Sequence, residues 1–320
     1  MNEFELIKHC FNWPQNNSDI ICAVGDDASI VQVPSGYELV QSIDTQVADV
    51  HFPASAPAQL IAQRALRCAI SDLAAMGAKP QAFHLALSLP KDTSQTWLES
   101  FSLGLRNCAD EYSISLIGGD TTSCPSIVVT IQVQGIVPKG KALTRDKAQA
   151  ADNIWVTGSI GDAAGALPLI LNNPELSTDL AKAYYYPQAQ IQLGLALVGI
   201  ANSALDISDG LLQDASHIAK ASNCTLNIHS DRIPLSPLLR DKYPHAQALN
   251  YALTGGDDYQ ILFTAPSKKD NKILSIAQLL SIPCTKIGHV IATSSPSITL
   301  DGIDTNTLYH EQGYQHFNDQ

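Results

Sequence analysis

The sequence has little positive charge and no long apolar run. It carries 19 Lys and Arg against 31 Asp and Glu, a formal net charge of −12 at pH 7. Nucleic acids and anionic membranes both reward a basic surface, so this charge argues against either as a partner. No apolar run approaches the ~18 residues that a membrane-spanning helix needs, and the first residues lack the basic and apolar regions of a signal peptide. We therefore expect a soluble, cytoplasmic protein.

Patterns for metal sites built on cysteine or histidine are missing as well. The 7 cysteines include no CxxC pair, and an odd number is typical of reduced thiols in a cytoplasm. No His and Cys residues follow the ligand spacing of a zinc site. The 320 residues, 45% of them hydrophobic, suffice for two globular domains with separate cores.

Five short aspartate motifs, four of them beside glycine, are what the sequence does contain. They are Gly25-Asp26-Asp27, Ser42-Ile43-Asp44-Thr45, Gly118-Gly119-Asp120, Asp206-Ile207-Ser208-Asp209-Gly210 and Gly255-Gly256-Asp257-Asp258. Several follow apolar stretches typical of strands, so we expect carboxylates at strand ends, on turns that glycine shapes easily. No Lys or Arg adjoins any motif, and gathered carboxylates repel one another. Divalent cations with oxygen ligands, magnesium or calcium rather than zinc, would supply the missing charge, and a magnesium-nucleotide enzyme is the leading hypothesis.

Single residues outside these motifs leave alternatives open. Asp72 lies near the C-terminal end of a helix predicted from Ala58 to Met76, where the helix dipole disfavours an acid by ~0.3–1 kcal/mol. A nearby cation reverses that sign, although a solvated acid explains Asp72 alone equally well. Arg145 suits the charge that develops in phosphate transfer, with a solvated linker arginine as an even alternative. His51 could bind a phosphate, but a lone histidine is more often structural. Tight turns explain any one Gly-Asp motif, and spacing does not decide which aspartate of each doublet faces a site.

Hydrophobic periodicity predicts alternating strands and helices in both halves. In the first half we expect a strand at Leu39–Ile43 ending at Asp44, a helix over Asp92–Tyr112 capped by Asp92 or Thr93, a short strand at Ile114–Ile117 that delivers Gly118-Gly119-Asp120, and a long strand at Ile127–Val137. In the second half we expect strands at Asn153–Thr157, Thr225–Ile228, Gln260–Thr264 and Thr285–Val290, and helices over Asp162–Leu171 and Gly210–Ala221. A polar stretch separates the halves, so domains are predicted over residues 1–140 and 141–320.

Taken together, the segments closely resemble the thiamine-monophosphate kinase family. The matching stretches run in family order from residue 25 to residue 259: Gly25-Asp26-Asp27-Ala28, Ser42-Ile43-Asp44-Thr45 with His51-Phe52, Ser71 to Gly77, Leu116 to Thr122, Gly140 to Arg145, Trp155 to Gly158, Asp206 to Leu211 and Gly255 to Tyr259. A weaker match follows at Gly313-Tyr314. As an ordered set these motifs are highly specific.

The resemblance implies a fold, an activity and partners. The fold would be the one shared with aminoimidazole ribonucleotide synthetase and selenophosphate synthetase, with mixed α/β (α+β) domains. Residues 1–140 would bind ATP and magnesium and form a dimeric β-barrel, and residues 141–320 would be an α/β domain that completes the active-site cleft. The activity would be direct in-line phosphorylation of thiamine monophosphate by ATP, yielding thiamine diphosphate as the last step of its biosynthesis. The protein would be a homodimer that uses several Mg²⁺ ions.

The resemblance also assigns residues by motif. The implied magnesium ligands are Asp27, Ser42, Ile43, Asp44, Asp72, Asp120, Asp206 and Asp209. The implied ATP contacts are Tyr112, Gly119, Asp120, Arg145 and Ser208, and the implied thiamine phosphate contacts are His51, Asp257 and Tyr314. Catalysis would depend most on Asp44, Asp72, Asp120 and Arg145.

Two positions depart from the family pattern. Ile43 stands where the family usually has Thr, so only its backbone carbonyl could bind a cation. Asp257 stands where the family usually has Glu, which shortens its reach by one methylene. Three other functions are weighed against the kinase: a related ATP-dependent enzyme with a different acceptor, a non-catalytic calcium-binding module, and a phosphatase that needs no ATP.

Overall fold

A computed structural model describes residues 9–14, 17–175, 178–293 and 295–302 of the chain. Contacts between residues divide the chain into two compact units, mainly between Gly140 and Lys141. Each unit is built around one main sheet.

The first unit has an open four-stranded sheet and two long helices. Its strands are β1 (Ile20–Cys22), β2 (Ile30–Val31), β3 (Tyr37–Val47), β4 (Lys79–Leu89), β5 (Ser115–Ser123) and β6 (Val128–Pro138), and its helices are α1 (Ala58–Ala75) and α2 (Gln95–Tyr112). The main sheet has the order β3-β6-β4-β5, in which β4 and β5 are parallel and the other pairs antiparallel. Strands β1 and β2 form a separate antiparallel pair.

The two faces of this sheet differ in polarity. Val129, Ile131 and Val133 of β6 are almost completely buried, and they alternate with the more polar Thr130 and Gln132. Because successive side chains of a strand point to opposite faces, one face carries the core of the unit. We call the other, which carries Thr130 and Gln132, the open face. Helices α1 and α2 approach closely at Gly104, where an added Cβ would lie 2.4 Å from the Gln59 carbonyl oxygen.

The second unit has a six-stranded sheet with helices between its strands. The strands are β7 (Asp152–Thr157), β8 (Ser203–Asp206), β9 (Cys224–His229), β10 (Ile261–Pro266), β11 (Cys284–Ala292) and β12 (Ser297–Asp301). The helices are α3 (Asp162–Asn172), α4 (Asp179–Tyr185), α5 (Ile191–Leu197), α6 (Leu211–Ser222), α7 (Pro237–Lys242), α8 (His245–Thr254) and α9 (Asp270–Leu280). The sheet order is β12-β9-β11-β7-β10-β8, and all its pairs are antiparallel except β12 with β9.

Long periodic segments were predicted well, whereas the positions of two aspartate motifs were not. The predictions of α1, α3, α6 and β6 are confirmed to within one or two residues. Strand β3 continues to Val47, so Asp44 lies inside a strand rather than at its end. Strand β5 includes Gly118, Gly119 and Asp120, which are therefore extended and not part of a turn. Strand β6 pairs with β3 as far as Val47, and strand β4 pairs with β5 as far as Ser123. This pairing keeps both aspartate motifs extended although their residues are polar.

The N-cap prediction for α2 is also wrong by one or two residues. The helix begins after Ser94, whose Oγ accepts a hydrogen bond from the Trp97 amide at 3.1 Å. Thr93 instead donates its hydroxyl to the Pro90 carbonyl, which leaves the capping position to Ser94.

Two further expectations concern the whole chain. No helix in the described ranges is long and apolar enough to cross a membrane. Within the described residues the four-stranded sheet does not close on itself, since β3 and β5 are its edges. The dimeric barrel therefore stays a prediction.

Candidate functional site

Ser42 and Asp44 of β3 lie close to Asp72 of α1. Ser42 Oγ donates a short hydrogen bond to Asp72 Oδ2. Burial, reinforced by the charge of Asp72, raises the pKa of the Asp44 carboxyl group to about 6. Such a shift means that the ionised form of Asp44 is disfavoured where it lies, and a bound cation would reverse this. These three residues were predicted as magnesium ligands, and the structure brings them together.

A cavity of about 880 Å³ lies beside the open face of the same unit. Its walls include four residues that the sequence assigned to cation or nucleotide binding: Asp27, Ile43, Gly119 and Asp120. None of the described residues that line it is Lys or Arg. An anionic ligand such as a nucleotide phosphate would therefore need a cation to enter this cavity.

The glycines of the Gly118-Gly119-Asp120 segment make room for strand pairing. A Cβ at Gly119 would lie 1.9 Å from the Leu85 carbonyl oxygen of β4, which no side chain permits. Asp120 follows at the cavity wall, where its Oδ1 accepts a hydrogen bond from the Thr121 amide at 3.0 Å.

In the doublet Asp26-Asp27, the carboxylate of Asp26 makes contacts within its own loop. Its Oδ1 accepts the Asp27 amide at 2.8 Å, and its Oδ2 lies 3.9 Å from the Cys22 Sγ. Asp27 is exposed at the cavity wall, so it is the better-placed member for binding a cation.

The candidate ligands of the first unit divide over the two faces of its sheet. Ser42 and Asp44 pair with Val133 and Ile131, which are buried residues of the core face. Ile43 lies between them on β3 and lines the cavity at the open face. Because side chains alternate along a strand, the Asp44–Asp72 cluster and the Asp27–Asp120 wall are separate places on this unit. They suit separate cations rather than one.

In the second unit, the motif Asp206 to Gly210 forms a loop anchored by a residue that the sequence analysis missed. Asp206 is the last residue of β8 and is buried. The Ser208 and Asp209 amides both donate to Asp214 Oδ2 at 3.0 Å. Burial raises the pKa of the Asp214 carboxyl group to about 7. Gln213 Nε2 donates to Asp209 Oδ2 at 3.0 Å, so the loop is held at several points.

The second doublet is resolved by burial. Asp258 is 7% exposed, and its Oδ1 accepts the Gly161 amide at 2.8 Å. Burial holds the pKa of its carboxyl group well above the usual range. Asp257 is more exposed, its amide donates to the Ser208 carbonyl, and its Oδ1 accepts the Tyr259 hydroxyl at 3.2 Å. Asp257 is thus the member that can meet a ligand.

Arg145 lies in a short 3₁₀ helix, Arg145–Lys147, whose position α6 fixes. The Ser222 hydroxyl donates to the Arg145 carbonyl at 2.7 Å. Burial, with added repulsion from Arg145 and Lys220, lowers the pKa of His217. The positive field of Arg145 thus reaches α6 of its own unit.

Three other predicted residues have different surroundings. His51 Nδ1 accepts the Val47 amide at 3.1 Å, which fixes the ring at the end of β3. The Tyr112 hydroxyl accepts from Arg67 Nη1 at 3.0 Å, and Arg67 also pairs with Glu111. Tyr112 does not line the cavity. Tyr314 lies outside the described residues.

The oxygen atoms present fit magnesium without forming a complete cage. In the described ranges, no three His, Cys, Asp or Glu side chains come close enough together to hold a metal ion. Magnesium usually binds through one or two carboxylates and completes its octahedron with water and substrate phosphates. The Asp44–Asp72 pair with the Ser42 hydroxyl, and Asp27 and Asp120 at the cavity, match that kind of ligand set.

Comparisons with known proteins agree on one family. The AIR synthase related protein N-terminal domain matches residues 25–137, and the corresponding C-terminal domain matches residues 149–301. The chain is 37% identical to thiamine-monophosphate kinase of Haemophilus influenzae over 99% of this chain and 98% of that protein. The crystal structure of thiamine-monophosphate kinase from Stenotrophomonas maltophilia is 40% identical, with a TM-score of 0.85 over 90% of this chain and 92% of that chain.

A structural relative was solved with ligands. AaThiL in complex with AMPPCP and TMP is 28% identical, with a TM-score of 0.79 over 98% of this chain and 96% of that chain. The expectation of a two-domain fold of mixed α/β content, related to AIR synthase, is confirmed by these matches.

Proposed function

Because the chain belongs to the thiamine-monophosphate kinase family, we propose that it transfers the terminal phosphoryl group of ATP to thiamine monophosphate. The products are thiamine diphosphate and ADP, and the reaction is the last step of thiamine diphosphate biosynthesis. The proposal includes the cytoplasmic location that the cysteine pattern predicts.

The observation that carries the proposal is the pairing of Asp44 with Asp72 beside the Ser42 hydroxyl. This cluster contains oxygen ligands only, and the raised pKa of Asp44 reflects the cost of its charge there. Bound magnesium would neutralise that charge and the charge of the two phosphate-bearing substrates. Asp27 and Asp120 supply a second place for a cation, consistent with the use of several ions.

The chain's own residues bind and orient the substrates. We assign Arg145 and Ser208 to ATP, with Arg145 compensating the equatorial charge that grows as the phosphoryl group moves. Gly119 and Asp120 form the wall on the nucleotide side, with Tyr112 as a weaker adenine contact. His51, Asp257 and Tyr314 bind thiamine monophosphate. Its phosphate oxygen is already ionised at neutral pH, so it attacks the γ-phosphorus directly and no side chain needs to act as a strong base.

The two domains have different tasks in this proposal. Residues 1–140 supply most of the magnesium ligands and the dimer contact. Residues 141–320 supply the remaining ligands, Asp206 and Asp209, and the ATP contacts of Arg145 and Ser208. The dimer forms through a barrel made by the amino-terminal domains of two copies. The large side chains of Tyr37, Leu39 and Ile43 support this assignment, because they occupy one face of the edge strand β3 and are each at least 40% exposed.

The decisive experiment is a coupled product assay. Purified protein with ATP, magnesium and thiamine monophosphate should yield thiamine diphosphate and ADP in equal amounts. Release of inorganic phosphate without ATP would identify a phosphatase instead. The absence of ADP with any acceptor would leave only a cation-binding protein.

Substitution of the paired carboxylates tests the assigned cluster. Asp44→Asn and Asp72→Asn should each lower kcat roughly 100- to 1000-fold, because the charge stabilisation that depends on them is worth several kcal/mol. Asp110→Asn is the matched control, since Asp110 is an exposed acid of α2. Near-normal turnover in either test variant, with the fold intact by circular dichroism, would contradict the assignment.

A further inference from the structure

Three polar side chains at the cavity are linked in series by hydrogen bonds, and no sequence motif indicated this series. Ser29 follows the Gly25-Asp26-Asp27 loop, His84 lies on β4 and Gln132 lies on β6. Ser29 Oγ is 3.2 Å from His84 Nε2, and His84 Nδ1 is 2.9 Å from Gln132 Oε1. All three line the same cavity as Asp27 and Asp120.

The direction of each hydrogen bond in the series follows from the contacts of Gln132, its last member. Gln132 Nε2 donates to the Val133 carbonyl oxygen at 2.9 Å, which fixes the orientation of the amide. An amide oxygen only accepts, so His84 Nδ1 is the donor of this pair, and in the neutral imidazole it carries the one ring proton. His84 Nε2 is therefore an acceptor, and the Ser29 hydroxyl donates to it.

This arrangement turns Ser29 Oγ into an acceptor toward the cavity. The Ser29 hydroxyl hydrogen is donated to His84, so the oxygen can form further hydrogen bonds only as an acceptor, through its two lone pairs. The carboxylates of Asp26, Asp27 and Asp120 at the same walls also only accept, and no Lys or Arg lines the described part of the cavity. A bare phosphate would find no cationic donor among these side chains. A hydrated divalent cation fits them, because each bound water presents protons outward.

We propose that Ser29 accepts a hydrogen bond from a water bound to the cation at Asp27 and Asp120, and that His84 and Gln132 are positioning residues that aim the Ser29 oxygen. This inference rests on the cation requirement of the proposed function and names residues that the family pattern does not assign. No bond is made or broken in it, and no proton leaves His84.

Manganese binding to the full chain tests the inference without any assay of activity. Mn²⁺ is titrated in the absence of nucleotide, and the free ion is followed by its electron paramagnetic resonance signal. Ser29→Ala should weaken one class of Mn²⁺ site about tenfold, the size typical of outer-shell partners. Ser29→Thr keeps the hydroxyl and should bind as the wild type does. Because Ser29 is part-exposed, the alanine variant should melt with the wild type in EDTA.

Variants of His84 distinguish positioning from a general structural effect. His84→Phe should weaken the same class of site as Ser29→Ala, and the double variant should be no weaker than either single one, since both remove one hydrogen-bonded unit. Ser275→Ala and His245→Phe are matched controls on exposed helix surfaces of the second unit. Additive losses of Mn²⁺ affinity in the double variant would contradict the proposal that His84 acts through Ser29.

Asp27→Asn separates failure of this inference from failure of the function. A loss of Mn²⁺ affinity in Asp27→Asn but not in Ser29→Ala would overturn the role of Ser29 and leave the kinase proposal intact. Unchanged affinity in both variants would overturn the cation position at the cavity. If Ser29→Ala weakens Mn²⁺ binding but the wild-type protein forms no thiamine diphosphate, the kinase proposal is overturned and the role of Ser29 stands.

Discussion

Asp214 is a buried carboxyl group with a structural task, to accept the amides of Ser208 and Asp209. Because burial raises its pKa to about 7, the folded protein keeps a proton there at pH values where an unfolded aspartate, with a pKa of about 3.9, has lost it. Between about pH 4 and pH 7 the folded state therefore binds more protons. Its free energy of unfolding should fall as the pH rises through this window.

Asp214→Asn should flatten that dependence. The amide oxygen of Asn can still accept both backbone N–H groups but does not ionise. We expect the wild type to lose on the order of 1–3 kcal/mol of unfolding free energy between pH 5 and pH 7 relative to the variant. Urea unfolding in EDTA at the two pH values measures this difference. Asp241→Asn, at an exposed acid, is the control, and equal pH slopes in all three proteins would contradict the prediction.

At the residue scale the structure also resolves the doublets. Asp258 is buried and accepts the Gly161 amide, whereas Asp257 is only part-buried and accepts the Tyr259 hydroxyl. Sequence spacing could not separate them, because adjacent acids have the same local pattern and differ only in what packs around them. Asp214 escaped notice for the same reason, since an acid four residues into a helix looks solvated until its burial is known.

The start of α2 is set by one hydroxyl group. Ser94→Ala should lower the free energy of unfolding by about 1 kcal/mol, the typical cost of losing an N-cap. Asp92→Ala should change it by less than about 0.5 kcal/mol, because the structure gives the capping hydrogen bond to Ser94. Equilibrium urea unfolding of the two variants makes the comparison. A larger loss of unfolding free energy in Asp92→Ala than in Ser94→Ala would support Asp92 as the N-cap, as the sequence analysis predicted.

The parallel pairing of β4 with β5 depends on Gly119. A Cβ there would lie 1.9 Å from the Leu85 carbonyl oxygen, so Gly119→Ala should force the strands apart and cost about 1–3 kcal/mol, as overpacking does. Gly36→Ala is the control, because Gly36 has φ +85° but nothing within 4 Å of its added Cβ. It should cost only the backbone strain of ~1–2 kcal/mol and should leave Mn²⁺ binding at the cavity unchanged. Weaker Mn²⁺ binding in Gly36→Ala than in Gly119→Ala would argue that β5, which places Asp120 at the cavity wall, does not support a cation there.

Elements were predictable wherever one local pattern extends over many residues. Helix α1 and strand β6 have an unbroken period and were placed to within a residue or so. The site was harder because its contacts are distant in sequence: Ser29 and His84 are 55 residues apart, and His84 and Gln132 are 48 apart. Such contacts are created by strand register, which no local pattern encodes. The resemblance to a family supplied the candidate cation ligands, but it could not supply side chains that lie outside the family motifs.

For the molecule as a whole, the open edge of β3 is a feature that favours association with a partner. Among the described residues, β3 is an 11-residue strand at a sheet edge, where one row of backbone groups has no strand partner. Leu39 and Ile43 are 40% and 64% exposed on the same face of that strand, and an apolar stripe there favours association. Pairing two copies along such edges would satisfy the backbone groups, and closing the joined sheets into the proposed barrel would enclose the stripe.

The dimer can be tested by charge placed on that stripe. The wild-type protein should run at twice 34.3 kDa in light scattering coupled to size exclusion, and Leu39→Lys should shift it toward the monomer, because a lysine buried without a partner in an apolar contact is costly. Leu279→Lys is the matched control, since Leu279 is 82% exposed on α9 of the second unit, and it should remain dimeric. If Leu39→Lys stays dimeric while Leu279→Lys dissociates, the contact lies on the second unit and the amino-terminal barrel is wrong.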